Sequence, residues 1–244
     1  MIGIKLFKDT NLSGYTLIEA FPGVGLVGPM AGSYLIEKLK MDYIGYIESD
    51  LFPPIASIHA GNPAFPARIY KDDKYKLALV MSEFVIPSHS IYQLAMELLA
   101  FIRKSKVSRI ISISGMPSQK PSGGCFVTST DQNFVKKAVK NGIKQVQEGV
   151  VAGVSALLLT NAKQFSIPAA DILVEVNPVI MDPSYAETAI RGLNKIIDTD
   201  IDLKDLEKEA KIVQTKIKDI VKKMKESPEH YDKAAESAGP SMYA

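Results

Sequence analysis

Gly23, Gly25 and Gly28 have the spacing G-x-G-x-x-G, which between a strand and a helix lets a backbone approach a phosphate at the helix N-terminus. They follow an apolar run over 16–21 and precede the helical pattern Met30, Tyr34, Leu35, Leu39. Glu48, just after a strand expected over 42–47, stands about where a ribose-binding acid stands in a dinucleotide fold. Against that chemistry, Phe21 and Pro22 interrupt the passage from strand to first glycine, and Pro29 fits an ordinary helix start. The favoured reading is a tight turn with close helix–sheet packing. Nucleotide or nucleoside binding at Gly23, Gly25 and Gly28, by an enzyme or a sensor, is the alternative.

Other chemistries lack their converging groups. His59, His89 and His230 are far apart and outside any H-E-x-x-H pattern, and the single Cys125 can build neither a sulfur zinc site nor an intrachain disulfide. As a nucleophile Cys125 would need a histidine beside it in space; a buried inert thiol is the simpler reading. The stretch Gly153-Val154-Ser155-Ala156 lacks the closing glycine of a nucleophile elbow, and no G-x-x-x-x-G-K-[ST] occurs. Glu19, Glu83 and Glu175 lie in or beside expected strands, where an ionised carboxylate is costly unless paired, so they are the best candidates for a polar site or for salt bridges. The expectation is therefore a chain with no catalytic set, metal or cofactor.

The elements that would position these groups read as strands over 16–21, 42–47, 56–60, 67–70, 76–84, 107–114, 125–129, 143–147 and 172–176. Helices are expected after Gly28, after Ser88 or Ser90 with the apolar face Ile91, Leu94, Ala95, Leu98, Leu99 and Ile102, and over 131–140, 151–163 and 185–197. That alternation predicts an α/β fold with a large mixed, mostly parallel sheet flanked by helices. The loop 115–124 falls after a strand end and would line a pocket or a subunit contact. Leu203, Leu206, Ala210, Val213, Ile217, Ile220 and Met224 then make a heptad seam, to be buried within the chain or against a second copy. The expected organisation is a core over 1–182, a helical pair over 183–226 and a tail over 227–244.

With 46% hydrophobic residues in 244 the chain can fill a sizeable core, and Lys+Arg 29 against Asp+Glu 27 is too balanced for nucleic acid as main partner. The start carries no export signal, and the uncharged stretch 149–162 falls short of the roughly 20 apolar residues that span a bilayer. It reads as a buried helix, and the expected location is cytoplasmic without a membrane partner.

After Gly239-Pro240 come Met242, Tyr243 and Ala244: an apolar side chain, a ring with a polar tip and a terminal carboxylate, suited to capture by a receptor. This ending resembles the hydrophobic–tyrosine–any motif that docks between α-subunits of the 20S proteasome. The body over about 15–225 resembles the archaeal proteasome assembly chaperone homologues, through Phe21-Pro22-Gly23-Val24-Gly25-Leu26-Val27-Gly28 and Ser114-Gly115-Met116-Pro117. The resemblance implies a nucleoside-phosphorylase-like fold without enzyme activity and a homo-oligomer. It also implies docking of Met242, Tyr243 and Ala244 in the α-ring or on α-subunits, as an assembly chaperone or an ATP-independent activator.

Overall fold

The computed structural model describes residues 1–59, 61–204 and 206. In chain order the elements are β1 (Gly3–Leu6), β2 (Thr16–Glu19), α1 (Val27–Leu39), β3 (Asp42–Glu48), β4 (Ser57–His59), β5 (Asn62–Ala64), β6 (Ala67–Asp72), β7 (Leu77–Ser82) and α2 (Ile91–Lys104). They continue with β8 (Arg109–Pro117), β9 (Cys125–Ser129), α3 (Gln132–Lys140), β10 (Lys144–Gln145), α4 (Val154–Ala162), β11 (Ala169–Val176) and α5 (Pro183–Ile197). Nine strands form one sheet in the order β1-β3-β6-β7-β2-β8-β11-β9-β10, and β4-β5 is a separate hairpin.

The sheet is mixed, as its sequence pattern predicts, but its parallel part is smaller than expected. Strands β7, β2, β8 and β11 run parallel at the centre and β10 runs parallel to β9. The pairs β1-β3, β3-β6, β6-β7 and β11-β9 are antiparallel. The reason is loop length: only residues 73–76 separate β6 from β7, enough for a hairpin and far too few for a helical crossover.

Central strands are buried on both faces, so their sequences read as unbroken apolar runs. In β2, Ile18 joins a cluster with Met30 and Tyr34 of α1, Phe134 of α3 and Ile190 and Leu193 of α5. Leu17 points the other way, into a cluster with Leu94 and Leu98 of α2 and Leu158 of α4. Local signals start the helices: the Asp131 and Asp182 carboxylates accept from the Asn133 and Ser184 N–H groups, and Pro183 occupies the first turn of α5. Several expected boundaries move: β2 ends at Glu19, β8 runs on to Pro117 into the expected loop, and β11 begins already at Ala169. The helix expected over 151–163 begins only at Val154 because Gly153 has φ +85°, and the strand expected over 143–147 shortens to Lys144–Gln145.

Helix α5 lies on the sheet, with Ala186, Ala189, Ile190 and Leu193 fully buried. The segment after it returns across α1: the Tyr34 hydroxyl donates to the Asp202 carbonyl at 2.6 Å, and Lys38 Nζ is 3.3 Å from Asp202 Oδ2. Leu206, the second seam position, is buried against the same core. The seam from Ala210 to Met224 and the tail over 227–244, including Met242, Tyr243 and Ala244, lie outside the described residues.

Candidate ligand cavity at the carboxyl ends of the parallel strands

A parallel sheet with helices on both faces leaves a crevice where the strands end. Here that crevice is a cavity of about 580 Å³ beyond the ends of β2 and β8, closed by residues 146–153 and the first turn of α4. Phe21, Ile86, Ile91, Ile113, Met116 and Leu173 give it apolar walls, and Glu19, Ser114 and Ser155 are its polar lining toward the sheet.

The polar groups are aligned by register. Glu19 pairs with Ser112 across β2 and β8, and Ser112 pairs with Asp171 across β8 and β11. Partners in register on neighbouring strands share a face, so the three side chains form a row on the side covered by α2 and α4. Leu17, Ile110 and Ala169, two residues earlier on each strand, are apolar core on that same side.

Both carboxyls are buried, with 3% exposure at Glu19 and none at Asp171. Glu19 Oε1 accepts from the Phe21 N–H at 3.0 Å, while Oε2 is buried without a hydrogen-bond partner. Burial pushes the Glu19 carboxyl up to about 7, against the opposing pull of the Ser112 hydroxyl and the Phe21 N–H. Asp171 Oδ2 accepts from the Ser114 hydroxyl at 3.0 Å, and its Oδ1 has no partner. Burial first, and the neighbouring Glu19 charge second, hold Asp171 well above the usual carboxylate range. Ser155 Oγ lies 3.4 Å from Ser114 Oγ, so hydroxyls link α4 to the carboxyl row.

The glycine turn borders this cavity, but its glycines mainly serve packing. A Cβ on Gly25, which has φ +69°, would lie 2.9 Å from the Val176 Cβ, and one on Gly28 would lie 2.8 Å from the Phe21 carbonyl oxygen and 3.0 Å from that of Ile113. Gly23 and Gly28 both line the cavity, but of the three glycines only Gly23 has open space around it. Two carbonyl oxygens cannot swing aside as a side chain can. Gly28→Ala is therefore expected to destabilise the fold by about 1–3 kcal/mol through forced separation of α1 from β2 and β8, read as a lower urea midpoint.

The remaining sequence candidates serve structure. Glu83 Oε1 lies 2.5 Å from Arg68 and 2.9 Å from His59, an ion cluster that ties the β4-β5 hairpin to β6. Glu175 accepts from the Ser122 hydroxyl and N–H and from the Gly124 N–H, which holds the loop after β8 in place and keeps its carboxyl low. Burial pushes the Cys125 thiol up to about 11, so it stays protonated and unreactive at neutral pH. Of the expected polar candidates, then, only Glu19 reaches the cavity. The described residues contain no cluster of three or more His, Cys, Asp or Glu able to hold a metal, and no described helix is long and apolar enough to cross a membrane.

Comparisons place this geometry among known proteins. The PAC2 family profile matches residues 17–221. The uncharacterized protein MJ0106 of Methanocaldococcus jannaschii is 28% identical over 219 residues, covering 88% of this chain and 90% of its own. The crystal structure of Pyrococcus furiosus PbaA, an archaeal homolog of proteasome-assembly chaperone, is similar with a TM-score of 0.83 at 26% identity, covering 93% of this chain and 99% of PbaA. P. furiosus PbaB, an archaeal proteasome activator, shares the fold at a TM-score of 0.75 and 21% identity, over 92% and 98% of the two chains.

Proposed function

Because the chain belongs to the PAC2 family, we propose that it is a proteasome-binding protein of the assembly-chaperone type. The observation that carries this reading is the likeness to PbaA, which runs through nearly the whole of both chains instead of one shared motif. In the proposed mechanism the body serves as a mount, and Met242, Tyr243 and Ala244 insert into pockets between α-subunits of the 20S proteasome, without ATP. The tyrosine contributes a ring with a polar tip, the methionine an adaptable apolar contact, and the terminal carboxylate a partner for a basic residue. A homo-oligomer would present several such ends at once.

The direct test is co-purification of the full chain with 20S particles and, separately, with isolated α-subunits. Retention on α-subunits alone identifies an assembly role, and retention on 20S particles with faster peptide hydrolysis identifies an activator. Retention on neither removes the proteasome from the account. The nucleotide alternative finds little support at Gly25 and Gly28, whose missing side chains are already explained by Val176 and two carbonyl oxygens.

A further inference from the structure

An exposed aromatic face on the antiparallel half of the sheet begins beside the point where the heptad seam leaves the described residues. We propose that this face, formed by Phe7, Tyr43, Tyr46 and Phe65, is the docking surface for residues 207–226 of the same chain. The docking involves the chain before the tail and holds whether or not the proteasome is a partner.

In β3 and β6, Ile44, Ile47, Ala67 and Ile69 enter the core with Leu94 and Leu98 of α2. Tyr70 takes the other side of the sheet, which α1, α5 and α3 cover over the central and β9 strands. From Tyr70 a chain of rings runs outward. Its centroid lies 5.4 Å from that of Tyr43, Tyr43 lies 4.9 Å from Phe7, Phe7 5.8 Å from Tyr46, and Tyr46 3.5 Å from Phe65. Phe7, Tyr43 and Phe65 are still 52%, 36% and 41% exposed. Single exposed rings need no explanation, but contiguous ones mark a contact surface.

The occupant follows from the path of the chain. Asp200 accepts from the hydroxyl of Tyr75, in the turn between β6 and β7, and Asp202 is held by Tyr34 and Lys38. Leu203 and Leu206, the first two seam positions, pack on the cluster that contains Tyr70. Ala210, Val213, Ile217, Ile220 and Met224 therefore set out from the margin of the ring face. Helices α1 and α5 offer them no alternative, since neither exposes a large apolar side chain. As a helix, 206–224 would extend about 27 Å. The face is about 14 Å wide from β7 to β1 and about 20 Å long, so its diagonal of about 25 Å matches that length. Met224 suits aromatic rings, as do Lys216 and Lys223 beside the seam. A second copy would compete against a segment already anchored at Leu203 and Leu206, whose effective concentration at the face is high.

The test is hydroxyl-radical footprinting of the full chain, with Tyr92 of α2 as the exposed reference. Bare, Tyr43 would be oxidised roughly half as fast as Tyr92, in proportion to exposures of 36% and 64%; under the segment it is expected to react at least about fivefold more slowly than Tyr92. Ile217→Asp with Ile220→Asp, which sets two carboxylates against the rings, should restore the bare rate while buried Tyr34 stays protected. Lysine crosslinking in a co-refolded mixture of isotope-labelled and unlabelled chains then identifies the source of the segment. Links from Lys5, in register with Tyr46, to Lys211, Lys216 or Lys218 are expected within one label only. The bare rate in the unsubstituted chain, protection that survives both aspartates, absence of those links, or mixed-label links that mark a second copy as the occupant would each overturn the proposal.

Discussion

A chain shortened by residues 242–244 is expected to bind 20S particles at least about a hundredfold more weakly than the full chain, with unchanged thermal unfolding. Three residues make few contacts, so a single end should bind weakly, and useful affinity has to come from several ends held on one assembly. Linking sites in that way multiplies affinity by about 10²–10⁴ without new contacts, and removing every end forfeits the whole factor. Tyr243→Ala should reproduce most of the loss, and Tyr243→Phe, which keeps the ring, much less. Stability should not follow, because in the proposed mechanism these three residues contact the receptor and not the body. Sedimentation with 20S particles measures the first quantity and circular dichroism melting the second. A shortened chain that sediments with the particles as the full chain does would remove Met242, Tyr243 and Ala244 from the mechanism.

How far the sequence could be read depended on whether the deciding contact was local. The apolar runs of β2, β7 and β8 reveal central strands because both of their faces are covered, and the Asp131 and Asp182 caps mark helix starts within three residues of themselves. The antiparallel half was harder. Strand β1 has only four residues and its partner β3 lies some forty residues away, so nothing near Ile4 announces the pairing. The glycines show the same limit from another side. A phosphate cradle and a close helix–sheet contact require the same residue at the same spacing, and contacts supplied from far along the chain, Val176 of β11 at Gly25 and the Ile113 carbonyl of β8 at Gly28, tell them apart. Val150 and Val151 extend the apolar run before α4, yet they belong to the loop that closes the cavity, since Gly153 takes a positive φ there.

The carboxyl row illustrates the same point at the site itself. Glu19 is legible as a carboxylate inside an apolar strand. Asp171 is not, because it stands just before the stretch 172–176 that reads as strand, and Ser112 and Ser114 are ordinary serines taken singly. What makes them a set is the register of three parallel strands, a property of the pairing that no one strand encodes. A charged residue within an otherwise apolar parallel strand was the available signal, and a search for a second such strand would have needed the true start of β11 at Ala169.

Replacement of Glu19 by glutamine is expected to stabilise the protein at about pH 8 by up to roughly 3 kcal/mol, and to give no gain at about pH 4. The sign follows from proton counting. In the unfolded chain Glu19 ionises with its ordinary value of 4.5, and in the fold it holds its proton up to about 7. Between those values the native state binds more protons than the unfolded state, so stability falls as pH rises through that window and levels off above about 7. Below 4.5 both states are protonated, and the carboxyl contributes its full share. The glutamine side chain never ionises and skips this loss, less about 1 kcal/mol for any amide N–H left without an acceptor. Asp171 responds as well: the Glu19 charge is one of the causes that raise it, so the substitution lowers Asp171 toward the ordinary range and reduces its own pH-dependent loss. Urea midpoints of the two proteins across this range measure the effect. Converging curves at low pH and separation near neutrality are the expected result, whereas parallel curves would mean that Glu19 ionises in the fold as freely as it does in water.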